Sequence, residues 1–549
     1  MKYSPEEIEL LKKYVTDPAS DIFAIKNLPG LVGAIYARYS RAIGGFKDTL
    51  LKEFIKEGII DAKRAQELIE RVLVAYGDDS VGELEGAHVS FEKISMLATK
   101  EIEDRRIGGS PIEQSTRYVF YDQKDDQGRW LYCRGDDLVG ASFGKEYIET
   151  MDFIFDTYAR LVEPMKDYFK KLKFLEDAEY DINGDGKKEK FKDLTEEKEI
   201  KAFRMTYNFD VRSKACDTLR HLLPLSTLTN VGMFGNGRFY QGLISHLLST
   251  EIPEAHTIGK KTSEALTQVV PQYVKRAKRN EYAASRHKEM FDLVKSMDIH
   301  SPQKQNFTQD QITLIDPVEG KTYSESHDIQ TIAAILYPYA DVPFSDLEKI
   351  VLAIDGAQRE KIISAYVGER STRRERPGRA LEFGYPYTFD LVTTWGVYKD
   401  LMRHRMNTQQ RQLFSARLGF YVAPEIIEAG FQKEIEACSQ KANTLYENIV
   451  KINPILAQYA VLHGHYVRWM LGMNDREAMH LIELRSTPQG HPNYRKVAQE
   501  LHKAIAARYP WRAKMMKFAD YNDYYWSRGD SEARQRVKEK ELDKKYNTK

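Results

Sequence analysis

Two guanidiniums flanking an imidazole, Arg403-His404-Arg405, stand where the apolar series Leu391, Trp395, Tyr398 and Met402 stops. Steps of four, three and four predict one face of a helix for that series. The charged triplet cannot extend a core face. Beyond it come Gln409, Gln410, Arg411, Gln412, Ser415 and Arg417, a run of donors with almost no carboxylates to neutralise them. Arginine forks match phosphate oxygens two at a time and a serine hydroxyl adds a shorter donor, so the chemistry on offer is the holding of an anion. A solvated basic face is the plain alternative. Against it stands a related arrangement earlier in the chain. A helical series through Phe91, Ile94, Leu97 or Ala98, and Ile102 leads past Arg105-Arg106 into Ser115-Thr116-Arg117-Tyr118, which matches Ser415-Ala416-Arg417-Leu418.

Each half carries a second motif. Arg220-His221-Leu222-Leu223-Pro224 precedes Asn236-Gly237-Arg238, and Gln458 precedes Asn474-Asp475-Arg476 at the same interval (236 minus 220 and 474 minus 458, both 16). Arg485 follows Asn474 by 11. On these residues both halves resemble the flavin-dependent thymidylate synthases, whose signature is Arg-His-Arg followed after seven or eight residues by Ser-x-Arg. The resemblance implies a helix-rich α+β chain built as two tandem repeats, residues 1–305 and 306–549.

It also implies a site. FAD would be gripped by Arg403, His404 and Arg405 with Asn474, Arg476 and His480. Substrate dUMP would meet Arg403 and, at its pyrimidine, Arg485, the catalytic group. Its phosphate would be held by Ser115 and Arg117, with Glu113, and by Arg220, supplied in the family by a neighbouring subunit. An acidic residue near the flavin could be Glu83 or Glu85, although a capped helix start explains both equally well. Neither half is complete: Gln458 stands where the phosphate arginine belongs, and nine residues separate Arg405 from Ser415 (415 minus 405, less one). The first half has Asp104-Arg105-Arg106 or Arg105-Arg106-Ile107 for Arg-His-Arg, and Leu247 at the pyrimidine position. The losses are complementary, which implies sites shared between repeats and a homodimer in place of a tetramer of single units. The implied reaction is reductive methylation of dUMP, with methylenetetrahydrofolate as carbon donor, NADPH as reductant of the flavin and no metal.

The elements that must place these residues read as mostly helical. Amphipathic helices are expected over 8–14, 31–39, 50–60 and 62–76, then over 147–174, throughout 200–296, and over 332–336, 344–354, 358–366, 424–473, 475–484 and 494–508. Residues 119–133 alternate like a hairpin turning at 125–128. The segment 181–186 imitates a calcium loop, but Lys192 falls at the twelfth place, where a bidentate carboxylate is required, so it reads as an exposed acidic turn. Residues 299–328 lose periodicity and mark the expected inter-domain boundary. The tail after 528 is charged and is expected to fray.

The 549 residues are too many for one core. With 42% apolar and 30% charged residues the composition is that of an ordinary globular protein. Its 82 basic against 81 acidic side chains leave any anion site a local concentration of charge. Cys133, Cys216 and Cys438 show no paired spacing, as expected of a reducing compartment, and Cys216 reads as a core residue. The N-terminal stretch reads as a surface helix, and no apolar run reaches bilayer length, so a cytoplasmic protein that meets no membrane is expected. Two other readings stand beside the synthase. One is a relative that binds flavin or nucleotide without making thymidylate. The other is a single-strand binder using 370–376 and 403–417 with Tyr385, Tyr387, Phe414 and Phe420 as stacking platforms. Near-neutral charge opposes the latter, and no nucleic-acid partner is expected.

Overall fold

The computed structural model describes residues 3–28, 31–40, 44–56, 59–60, 82–299, 305–369, 377–383 and 387–547. The helix expected over 62–76, the basic run 370–376 and Tyr385 lie outside them. The chain forms two compact units, one of residues 1–94, 98–113 and 229–284, the other of 95–97, 114–228 and 285–549. Both are helix-rich α+β, as the sequence implied.

The first unit carries a three-stranded sheet with Leu228–Asn236 between Gly86–Ser95 and Gly109–Glu113. Gly109 and Glu113 face Gly235 and Val231 in antiparallel register. Burial alternates along Leu228–Asn236, as in a sheet packed on one face. Asn236 then caps the helix Gly237–Leu247, its side chain accepting from the Phe239 amide at 2.8 Å. The Phe239 ring lies over Gly109 and Gly235 so closely that a Cβ on either would come within 2.4 Å of it.

The second unit is built on an antiparallel sheet in the order Thr408–Arg411, Tyr466–Met473, Tyr387–Thr394, Gln311–Leu314. Every residue of Tyr466–Met473 is buried. That leaves Arg468 inside the sheet, where it reaches Asp390 at 3.0 Å. The other donors to Asp390 are the Tyr337 hydroxyl at 2.6 Å and the Phe344 amide at 3.0 Å. Helices Gly144–Leu172, Glu197–Leu219 and Gln432–Val450 pack together in this unit, and the C-terminal helix Ser527–Asn547 lies along Glu197–Leu219.

The repeats share backbone wiring. In the first, the helix Met96–Glu103 starts with Met96 N–H on Thr227 O and Leu97 N–H on Leu225 O, both 2.9 Å. In the second, the helix Trp395–Leu401 starts with Trp395 N–H on His465 O at 2.9 Å and Gly396 N–H on His463 O at 3.1 Å. The acceptors are equivalent, since 465 minus 227 and 463 minus 225 both equal the motif offset, 474 minus 236. Equivalent bonds also cross between the repeats: Leu225 N–H donates to Val461 O at 2.8 Å, and His463 N–H to Leu223 O at 2.9 Å, about the antiparallel bridge of the equivalent residues Pro224 and Leu462. This is a local twofold written in one chain.

Several expectations need correction. Leu391 belongs to strand Tyr387–Thr394 and Phe91 and Ile94 to strand Gly86–Ser95, so each apolar series crosses from strand to helix. The helical spans 200–296 and 424–473 contain the strands Leu228–Asn236 and Tyr466–Met473; the latter is buried on both faces and so has no period of two to betray it. In place of the helix expected over 50–60, Leu50–Phe54 is a π turn and Ile55–Lys56 pairs antiparallel with Ile59–Ile60. The turn at 125–128 forms, with Gly128 N–H on Asp125 O, but the arm holding Leu131 and Cys133 pairs with Leu228 and Ser226. Within 299–328, Gln311–Leu314 is an edge strand. The charged tail does not fray: it is the helix Ser527–Asn547, with Ala533 buried. In the acidic turn the Asp181 carboxylate accepts from Gly184 N–H at 2.6 Å and Gly186 N–H at 3.1 Å. Asp185 and Glu189 lie close to it.

Removing one member of a buried, hydrogen-bonded ion pair strands the other. Arg468→Met or Asp390→Leu should therefore destabilise the protein by about 3–5 kcal/mol in urea unfolding, with the double variant recovering much of the loss. Buried histidines set a second expectation. Burial pushes His221 down to about 4, helped by Arg220, and pushes His465 down to about 3. His465 accepts the Leu462 amide at Nδ1 (2.8 Å), so its neutral form is built into the bridge. The unfolded chain, with histidines near the ordinary 6.5, binds more protons below that value than the folded one. Stability is therefore full above about pH 6.5 and falls as pH drops toward 4, by up to about 1.4 kcal/mol per pH unit for each histidine. The urea midpoint should fall from pH 7 to about pH 5, and a His465→Asn variant should show a flatter profile.

Candidate functional site

Helix Trp395–Leu401 and helix Asp475–Arg485, both in the second unit, deliver the charged residues. Asn474 caps the latter by accepting the Glu477 amide at 3.1 Å, as Asn236 does for its own helix. The asparagines of the repeated motif are thus helix caps. Capping fixes Glu477, whose carboxylate meets His404 Nδ1 at 3.0 Å, while His404 Nε2 meets Arg485 Nε at 2.8 Å. An arginine N–H can only donate, so Nε2 is the acceptor and the ring proton sits on Nδ1, donated to Glu477. Burial lowers the His404 pKa and the Arg485 cation lowers it further, against the pull of Glu477, so the imidazole is neutral. Arg485 is itself lowered, burial outweighing Asp400 and Tyr494. Among the described residues no carboxylate forms an ion pair with it.

Asp400, one turn before Arg403, organises the other guanidiniums. One oxygen takes Arg403 at 3.0 Å; the other takes Arg220 at 3.2 and 3.3 Å. Burial alone would raise this carboxyl, but Arg220 and Arg403 hold it well below the carboxylate range. Asp217 plays the same part for Arg117, both oxygens engaged at 2.6 Å, and is likewise held low against burial. Arg117 also donates to Gln489 O at 3.1 Å. The Tyr494 ring joins the two sets, with Arg485 at 5.5 Å from its centroid and Arg117 at 6.0 Å. Ser115 turns the chain into Arg117 by accepting its amide at 3.2 Å.

A cleft of about 260 Å³ opens beside this network, lined by Arg403, His404, Arg405, Glu477, His480 and Arg485, with Met406 and Leu484 as apolar rim. Arg405, His480 and Arg476 are exposed. Cationic donors around an uncharged imidazole, with apolar edges, suit a planar, oxygen-rich ring and a phosphate. They fit the parts of FAD and of a nucleotide that present those groups.

Of the residues singled out in the sequence, Ser115, Arg117, Arg220, Arg403, His404, Arg405, Asn474, Arg476, His480 and Arg485 fall in the second unit. Glu113 belongs to the first, ending a strand with its carboxylate 3.3 Å from Lys100. Glu83 pairs with Arg238, and Glu85 accepts the Gly33 amide at 3.3 Å. The second Ser-x-Arg repeats the local turn, Arg417 N–H on Ser415 Oγ at 3.0 Å, but its guanidinium is spent on Glu447. Gln458 is buried and uses its amide on Phe414 N–H and Ile455 O. Leu247 is fully buried. The shared helix starts align Asp104-Arg105-Arg106 with Arg403-His404-Arg405 (403 minus 104 equals 395 minus 96). Sequence reading missed Asp400, Asp217, Glu477 and Tyr494. Asp400 and Glu477 were discoverable, each three residues from a motif residue on a helix. Asp217 carried the same signal, three residues before Arg220 on helix Glu197–Leu219, and Tyr494 carried none.

No helix among the described residues is long and apolar enough to cross a membrane. A sequence profile described as thymidylate synthase complementing protein matches residues 33–272 and again 329–511. A UPF0159 protein of Chlamydia muridarum is 34% identical over 97% of this chain and 99% of its own length. One from Chlamydia pneumoniae is 34% identical over 97% and 98%. One from Thermoplasma acidophilum is 31% identical over 92% and 98%. With two matches covering both halves, the chain belongs to the thymidylate synthase complementing protein family, the flavin-dependent thymidylate synthases, in a two-repeat form.

Proposed function

We propose that this protein makes dTMP from dUMP, taking the carbon from methylenetetrahydrofolate and using NADPH through FAD, and that repeats 1–305 and 306–549 pool their residues in its sites. The observation that carries the reading is Arg485: a half-buried guanidinium held by a neutral imidazole, with no carboxylate pair among the described residues, at the wall of a cleft. Such a cation gains most from an anion, and a pyrimidine ring under attack develops negative charge at its oxygens.

Arg403, His404 and Arg405, with Asn474, Arg476 and His480, would hold the flavin. When bound and reduced, FAD supplies the hydride. The chain's own work is placement and field. Asn474 and Glu477 fix the His404 tautomer, His404 fixes the Arg485 fork, and Asp400 fixes Arg403 relative to Arg220. Ser115, Arg117 and Arg220 would receive the nucleotide phosphate. Cys216 is fully buried and burial pushes its thiol well above the ordinary range, which suits a synthase that works without a thiolate. A homodimer in the cytoplasm, working on small molecules without nucleic acid or metal, completes the proposal.

A second reading, a member that binds flavin or nucleotide without turnover, draws on Leu247 and on Asp104-Arg105-Arg106, which leave the first repeat without the pyrimidine and flavin groups.

The purified protein should be yellow, NADPH should bleach it, and dUMP should speed the bleaching. Colour without dUMP dependence or dTMP formation would favour the second reading. Arg485→Ala and Arg220→Ala should each lower kcat/KM for dUMP by roughly a hundredfold or more. Gln458→Ala should cost activity little, and equal damage from it would refute the division of labour between repeats. His404→Gln should impair chiefly kcat.

A further inference from the structure

The family profile ends at residue 511, yet the chain returns to the Arg117 neighbourhood after it. Residues 520–530 cross beside the site: Asp520 N–H donates to Ser486 Oγ at 3.0 Å, directly after Arg485, and Arg495 reaches Asn522 O at 2.9 Å. The helix Ser527–Asn547 is then pinned by a buried clasp. The Asp210 carboxylate accepts the Gly529 amide, the Tyr180 hydroxyl and the Lys173 ammonium, each at 2.9 Å. A Cβ at position 529 would come within 2.2 Å of Tyr180, so the approach requires glycine.

This clasp fixes Arg528. Its guanidinium lies 4.8 Å from the centre of the Tyr118 ring, donates to the Tyr118 hydroxyl, and leaves its buried Nε without a partner among the described residues. The nearby carboxylate, Asp217, is fully engaged by Arg117. Arg528 also stands in the first turn of a helix, where the dipole disfavours a cation. Burial and the Arg117 charge together lower its pKa. A half-buried guanidinium with no carboxylate ion pair among the described residues, beside a second one and at the wrong end of a helix, is a local conflict that a bound anion would resolve.

We propose that Arg528, from the C-terminal extension, binds the phosphate group of a nucleotide together with Arg117. The inference deepens the functional reading above and rests on it only for the name of the nucleotide. Losing one charge-assisted contact should weaken phosphate binding by roughly tenfold or more.

The test is calorimetry on the full-length protein, wild type against Arg528→Gln and Arg528→Lys, with dUMP against deoxyuridine and FAD against riboflavin. The expected result is a loss of dUMP affinity in Arg528→Gln with deoxyuridine affinity unchanged, and partial rescue by Arg528→Lys. A change confined to FAD against riboflavin would assign the phosphate to the flavin and still support the site. Folding damage would weaken both members of a pair alike, so the ratio within each pair is the readout. If wild type shows no preference for dUMP over dCMP or dAMP, the functional reading fails, while the same comparison on the monophosphate that binds, or on inorganic phosphate, decides the role of Arg528. Unchanged ratios in every pair, or no phosphate-bearing probe bound by wild type, would overturn it.

Discussion

Guanidiniums do not gather in a protein interior without anions to answer them. Here Arg117, Arg220, Arg403 and Arg485 are drawn into one neighbourhood, and among the described residues Asp217 and Asp400 are the buried carboxylates that compensate them. Both carboxyls would be raised by burial and are instead held low by the arginines, so the interaction is mutual: each charge is tolerable because the other is present. Arg485 is left over, oriented by a neutral histidine in place of a carboxylate. The geometry of the cleft is therefore set by how few acids there are and by where they sit on their helices.

The same constraint accounts for how the repeats have diverged. Arg220 makes sense only because Asp400 lies across the bridge of Pro224 and Leu462 to receive it. Its counterpart Gln458 has withdrawn to local backbone groups and carries no charge that needs an answer. Leu247 has likewise become core where Arg485 lines a cleft. A charge and its counter-ion disappear together far more cheaply than either does alone.

Much of this could be read from the chain before any coordinates. Side chains with obligatory partners leave spacing signatures, and the intervals from Arg220 to Asn236 and from Gln458 to Asn474 matched because each spans one turn, one strand and one capped helix start. Helix-rich α+β character and the two-repeat form were legible for the same reason. The strands Leu228–Asn236 and Tyr466–Met473 were not. The latter is buried on both faces and mimics a helix core, and strand pairing depends on residues far away in sequence. Asp217 is marked by its spacing to Arg220, but its pairing with Arg117 was silent, because that arginine arrives from a hundred residues earlier. The docked C-terminal helix was misjudged from its charge; what holds it is one amide on Asp210 and a glycine small enough to let it approach.

The reciprocal bonds between Leu223 and His463 and between Leu225 and Val461 carry a further meaning. In an assembly of identical chains, a substitution is copied into every symmetric position, so an improvement at one place and its harm at the mirror place cannot be separated. Once both sides of the axis lie on a single polypeptide, each can drift on its own. Symmetry survives here in the main chain and in the side chains that bond to it, Asn236 with Asn474 and Ser115 with Ser415, and has been released at Arg220 against Gln458 and Arg485 against Leu247.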